Sequence, residues 1–184
     1  FQLFDGKIKA DGEMSTGSST PPFRGKVKID GLQLGPALAA ISPDSTVSMS
    51  GTAAMDLAVT GRGFTMPDLT NALEGPGHLR IKNGTIEGIN LMEEAVTLLK
   101  VAGLPPDRLK TTAFSAIETD VMIKQGLVNV QKLLIDSHDF QATGAGTIGL
   151  DQALNLAVNL HLSPALSQKL ATSSPLARIA LKEG

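Results

Sequence analysis

The sequence predicts an α+β domain: a long, twisted, mainly antiparallel β-sheet with about three short helices on one side. Three observations carry this. Apolar and polar residues alternate over long runs, which is the signature of strands with one buried face. Tight-turn dipeptides fall between those runs. A few shorter stretches instead place their apolar residues at helical spacing.

The strands follow in order. In 23–30, Phe23, Gly25, Val27 and Ile29 oppose Arg24, Lys26, Lys28 and Asp30. In 49–60, Met49, Gly51, Ala53, Met55, Leu57 and Val59 alternate with polar or small partners. Ile117, Thr119, Val121 and Ile123 do the same in 117–124, and Leu154, Leu156, Val158, Leu160 and Leu162 in 153–162. Across 127–135 the phase slips between Val128/Val130 and Leu133/Ile135, so a β-bulge near Gln131-Lys132 is expected to return them to one face. Asp5-Gly6, Asp30-Gly31, Asn83-Gly84 and Gln125-Gly126 read as turns. The last two predict hairpins over 77–88 and 115–135. Residues 115–135 and 138–162 together predict a four-stranded antiparallel meander.

Helices are expected at 36–41, starting at Pro36, at 66–74, where Thr65 and Asp68 stand at capping-box positions, and at 90–102, with a Leu91/Ala95/Leu98 stripe. The stretch 12–22 is rich in Gly, Ser, Thr and Pro and reads as a loop. One domain over 1–163 is expected, followed by a loosely structured tail over 164–184 that is partly helical or frayed. Phe1 is not an initiator, and no signal-peptide pattern follows it, so the chain reads as a fragment of a longer protein.

Composition narrows function by exclusion. The 184 residues carry a formal charge of -2, so nothing favours nucleic acid or an anionic membrane surface. There is no cysteine, which excludes disulfides and thiolate metal sites. Six Phe are the only aromatics, which argues against stacking sugars or bases. No apolar run reaches the ~18 residues of a membrane-spanning helix.

Candidate chemistry is sparse. His78, His138 and His161 lack a second ligand at metal spacing. Ser137-His138-Asp139 has triad residue types, but neighbours on a strand point to opposite faces, so it reads as a turn. Gly144-Ala145-Gly146-Thr147-Ile148-Gly149 lacks the Lys and helix of a phosphate loop, so its glycines read as a place where another element lies close. Glu93-Glu94 and Glu118/Asp120 suit a helix N-terminus and an exposed face. No catalytic residue, metal ligand or cofactor is assigned, and the protein is not expected to be an enzyme. What remains is a surplus of aliphatic strand faces. Met49, Met55, Leu57 and Val59, with Leu154, Leu156, Val158, Leu160 and Leu162, are the candidates for a groove open to acyl chains.

The segment Leu73-Glu74-Gly75-Pro76-Gly77-His78-Leu79-Arg80-Ile81-Lys82-Asn83-Gly84-Thr85-Ile86-Glu87-Gly88-Ile89-Asn90-Leu91 resembles a segment near the C-terminus of AsmA-family proteins. The likeness extends through Lys26 to Leu38, Ser48 to Thr52, Gly61-Arg62-Gly63-Phe64, Thr112 to Ile117, Ile123 to Leu127 and Ser137 to Leu150, covering roughly 23–163. It implies a periplasmic body anchored to the inner membrane through a segment absent from this chain. It also implies a role, as in TamB- and YhdP-like relatives, in phospholipid transport along a β-groove or in outer-membrane assembly. Phospholipid or fatty-acyl chains and envelope proteins are then the expected partners. The alternative is a scaffold that binds an envelope protein through a sheet edge, without lipid.

Overall fold

The computed structural model describes residues 2–41, 43, 48–63, 65–88, 111–149 and 153–173. The expected helix at 90–102 and Glu93-Glu94 lie outside them. The strands are β1 (Gln2–Leu3), β2 (Gly6–Met14), β3 (Pro22–Gln33), β4 (Ser48–Met49), β5 (Thr52–Arg62), β6 (Gly75–Glu87), β7 (Thr111–Lys124), β8 (Leu127–Asp136), β9 (Phe140–Gly149) and β10 (Leu154–Leu162). Among the described residues three helices accompany them: α1 (Leu34–Ile41), α2 (Met66–Ala72) and α3 (Pro164–Ser173). All strand pairs are antiparallel, and they follow chain order across one sheet, β1-β2-β3-β5-β6-β7-β8-β9-β10, with β4 alongside β6. The sheet stays open rather than closing into a barrel.

Local chemistry accounts for most connections. Gln125 and Gly126 turn β7 into β8 with both φ angles positive, 51° and 74°, as a two-residue hairpin of the primed type requires. The expected meander of β7 to β10 is present, and Ser137-His138-Asp139 is its second turn, closed by Ser137 N–H donating to Phe140 O at 2.9 Å. Thr65 and Asp68 form the reciprocal capping box of α2, each backbone N–H 3.3 Å from the other's side-chain oxygen.

The slip in β8 is resolved as its sequence implies. Asp120 pairs with Lys132 but Val121 with Val130, leaving Gln131 as the extra residue. Val130 and Ile135 are consequently both buried, at 6% and 7% exposure.

Two turn readings are corrected. Asn83-Gly84 does not reverse the chain: β6 runs unbroken through it and stays paired to β7 on both sides. Asn83 takes a φ of 51°, and this single left-handed residue moves the side-chain alternation by one. Ile81 before the kink and Ile86 after it therefore reach the same core. Gly84 is required because a Cβ there would lie 2.1 Å from Ser50 O and 2.5 Å from Phe114 Cζ. A hairpin loses here because strands flank the segment on both sides, β5 and β4 on one and β7 on the other. Asp30-Gly31 likewise lies inside β3, at the bulge between Ile29 and Leu32.

Candidate functional site

Directly paired residues in an antiparallel ladder point to the same face, so the registers trace rows of side chains across the sheet. The first row is Leu32, Ala53, Ile81, Ile117, Ile135, Ala142 and Leu160. The second is Ile8, Ile29, Met55, Leu79, Thr119, Leu133, Gly144 and Val158. The third runs Ala10, Val27, Leu57, Gly77, Val121, Val130, Gly146, Leu156. The fourth takes Gly12, Gly25 and Val59 on one side and Gly75, Ile123, Val128, Ile148 and Leu154 on the other. All four rows lie on one face, and Thr119 is their only polar side chain.

The charged residues of these strands occupy the opposite face. There they pair across strands: Arg24 with Glu13, Lys28 with Asp56 at 3.1 Å, His78 with Asp120 at 2.7 Å and Arg80 with Glu118 at 2.8 Å. A shallow depression of about 640 Å³ brings Lys9, Lys28, Asp56, His78 and Asp120 together. Lys28 and Asp56 there already pair with each other, and such an exposed pair contributes only about 0–1 kcal/mol. His138 and His161 are exposed. Among the described residues no group of three His, Cys, Asp or Glu is placed to hold a metal ion.

The sequence-derived candidates fall into this pattern. Met55, Leu57 and Val59 of β5 stand in the second, third and fourth rows, and Val158, Leu156 and Leu154 of β10 stand in the same three rows on the same face. Four strands separate the two sets, roughly 24 Å along the sheet. Leu160 and Leu162 reach the buried cluster, as does Met49, which pairs with Ile86. Strand-by-strand reading missed the residues between them, among them Leu79, Val121 and Leu133. Each alternation was visible, but which alternations share a face depends on register.

The face is graded. In the first row Ala53, Ile81, Ile117, Ile135 and Ala142 are no more than 7% exposed. The next rows are mostly half-buried, and the gradient ends at Val158, 44% exposed, and Leu154, 67% exposed. The glycines leave no gap in it. A Cβ on Gly77 would meet Val121 Cγ2 at 2.9 Å and Leu57 Cδ1 at 3.1 Å, so side chains from both neighbouring strands close over the bare backbone. The glycine run in β9 serves close approach as its sequence suggests, since a Cβ on Gly144 would lie 2.8 Å from Ala157 O.

A continuous aliphatic face on an open antiparallel meander offers contact area without directional partners. The sequence model of the AsmA family matches residues 1–133, and the chain belongs to that family. The match reaches further toward the N-terminus, and less far toward the C-terminus, than the segment resemblance over 23–163. Comparison with curated proteins and with solved structures gave no match. Membership fits, in general terms, a role in envelope lipid transport or outer-membrane assembly. No helix among the described residues is long and apolar enough to cross a membrane.

Proposed function

We propose that this chain is a non-enzymatic, periplasmic part of an envelope protein anchored to the inner membrane by a segment outside this sequence, and that its apolar sheet face carries the acyl chains of phospholipid. The observation behind this reading is the segregation of side chains. Four rows across eight strands hold one polar residue, Thr119, while the charges of those strands lie on the other face. An acyl chain needs contact area and no directional partner, so an unbroken aliphatic track suits it at about 25 cal/mol per Å² covered.

The grading from buried to open suits the same role. The main helix contacts fall on β3, β4 and β5, and α1 adds Leu34 to the buried cluster. Thus α1 covers the first-row end, α2 lies at the other end, where Thr70 approaches Gly126, and the outer β10 residues Leu154 and Val158 stay accessible.

The rival is a scaffold that holds another envelope protein at a sheet edge and binds no lipid; the outer side of β10, which no strand among the described residues pairs, favours it. Native mass spectrometry of protein purified without detergent separates the two. Adducts with the masses of phospholipid or fatty acid are expected. Bare protein that also fails to take up added phospholipid would shift the assignment to the scaffold.

A further inference from the structure

The two edges of the sheet are built differently. At one edge β1 pairs with only Gly6 and Lys7 of β2, and β2 carries Lys7, Lys9, Asp11 and Glu13. Charges of this kind discourage a stray strand from adding to an edge. At the other edge, the nine residues of β10 include no Lys, Arg, Asp, Glu or Pro. Among the described residues no strand pairs with its outer side.

The outward hydrogen-bonding groups of β10 can be assigned. Gly149 N–H donates to Ala153 O at 2.7 Å, and Ser163 N–H donates to Asp139 O at 2.8 Å, so residues 153 and 163 turn toward β9. By the alternation of an antiparallel ladder, the N–H and C=O of Leu154, Leu156, Val158, Leu160 and Leu162 point away from it. The apolar pattern of the strand is also a palindrome about Val158: Leu154 and Leu156 on one side, Leu160 and Leu162 on the other, with Asn155, Ala157, Asn159 and His161 between them.

We infer that β10 pairs antiparallel with β10 of a second copy about a two-fold axis at Val158. Leu154 then faces the partner's Leu162, and Leu156 faces the partner's Leu160. Five outward residues in symmetric pairs form roughly ten backbone hydrogen bonds. Paired residues share a face, so the apolar rows of both copies join into one surface of twice the width, and the exposed Leu154 and Val158 gain neighbours. A register shifted by one residue would set Leu against Asn or Ala and turn the two apolar faces to opposite sides. The palindrome therefore selects the symmetric register. Open edge, absent guard charges and self-complementary pattern all point to a second copy as the occupant.

The pairing does not depend on lipid and is read by mass. Sedimentation velocity over a dilution series of the purified chain should show twice the chain mass at high concentration and the chain mass at low. Val158→Pro removes an outward N–H that the β9 ladder does not use, and edge strands tolerate proline at such positions. Val158→Lys sets two like charges against each other at the axis. Both variants should sediment as single chains at every concentration with unchanged circular dichroism. Hydrogen exchange on the unmodified chain gives a readout independent of substitution. The amides of Leu156, Val158 and Leu160 should be protected in the dimer and lose protection on dilution, while those of Ala157 and Asn159, bonded to β9, stay protected. A single-chain mass throughout, a dimer that survives in a folded variant, or unprotected Val158 in a dimer would each overturn the inference.

Discussion

Thr119 stands in the second row between Leu79 and Leu133, and its Oγ1 is enclosed without a hydrogen-bond partner. An enclosed hydroxyl left unsatisfied costs about 1–3 kcal/mol. Valine keeps the shape and the β-branching, so Thr119→Val should raise stability by about 1 kcal/mol in urea denaturation. A loss of similar size would mean that the hydroxyl is bonded in solution. Gln125 is a second residue at odds with its position. It holds a φ of 51° at a turn that favours Asn, because the short polar side chain of Asn tolerates the left-handed region. Gln125→Asn should stabilise the β7–β8 hairpin by about 0.5 kcal/mol, seen as a higher melting temperature; an unchanged or lower one would contradict the assigned turn. The turn itself was legible in the sequence, because Gly126 follows Gln125 between two alternating runs. Asn83-Gly84 offered the same signal and did something else. A dipeptide specifies tolerance of positive φ, and whether that becomes a reversal or a kink depends on the strands on either side.

At the scale of elements, the bulge in β8 shows how a local irregularity serves the whole sheet. Gln131 has no opposite number on β7, and the bulge that absorbs it is what keeps Leu133 and Ile135 on the aliphatic face with Val128 and Val130. Paired without a bulge, the same sequence would turn Leu133 and Ile135 onto the charged face. Two aliphatic side chains returned to water cost roughly 3–6 kcal/mol, a large part of the 5–15 kcal/mol that holds a typical domain together. Deleting Gln131 leaves Val130, Lys132, Leu133, Leu134 and Ile135 in unbroken alternation, so the variant is expected to unfold in urea at a near-normal midpoint. Little folded protein at zero urea would show that the rows need Gln131 itself and would contradict the assigned bulge. The bulge was readable because a phase slip between two buried faces has few other solutions. The capping box of α2 was readable from Thr65 and Asp68 alone, since it is a local hydrogen-bond pattern.

For the whole molecule, the strands and their meander order were visible as alternation, but the site was only half visible. Single strands identified Met55, Leu57 and Val59 and, separately, Leu154, Leu156 and Val158. That these stand in shared rows on one face follows from five successive registers, and those depend on the bulge in β8. The central claim is that this face, and not its charged reverse, receives acyl chains. Adjacent residues of β5 test it, because Leu57 lies in the third row while Ala58 points to the other side. Leu57→Asp and Ala58→Asp add the same charge one residue apart, and circular dichroism establishes that each variant is folded. Titration with a fluorescent fatty acid should show affinity reduced at least about tenfold, or 1.4 kcal/mol, for Leu57→Asp and little changed for Ala58→Asp. Equal affinities in the two folded variants, or a greater loss in Ala58→Asp, would contradict the assignment of the acyl-binding surface to the aliphatic rows.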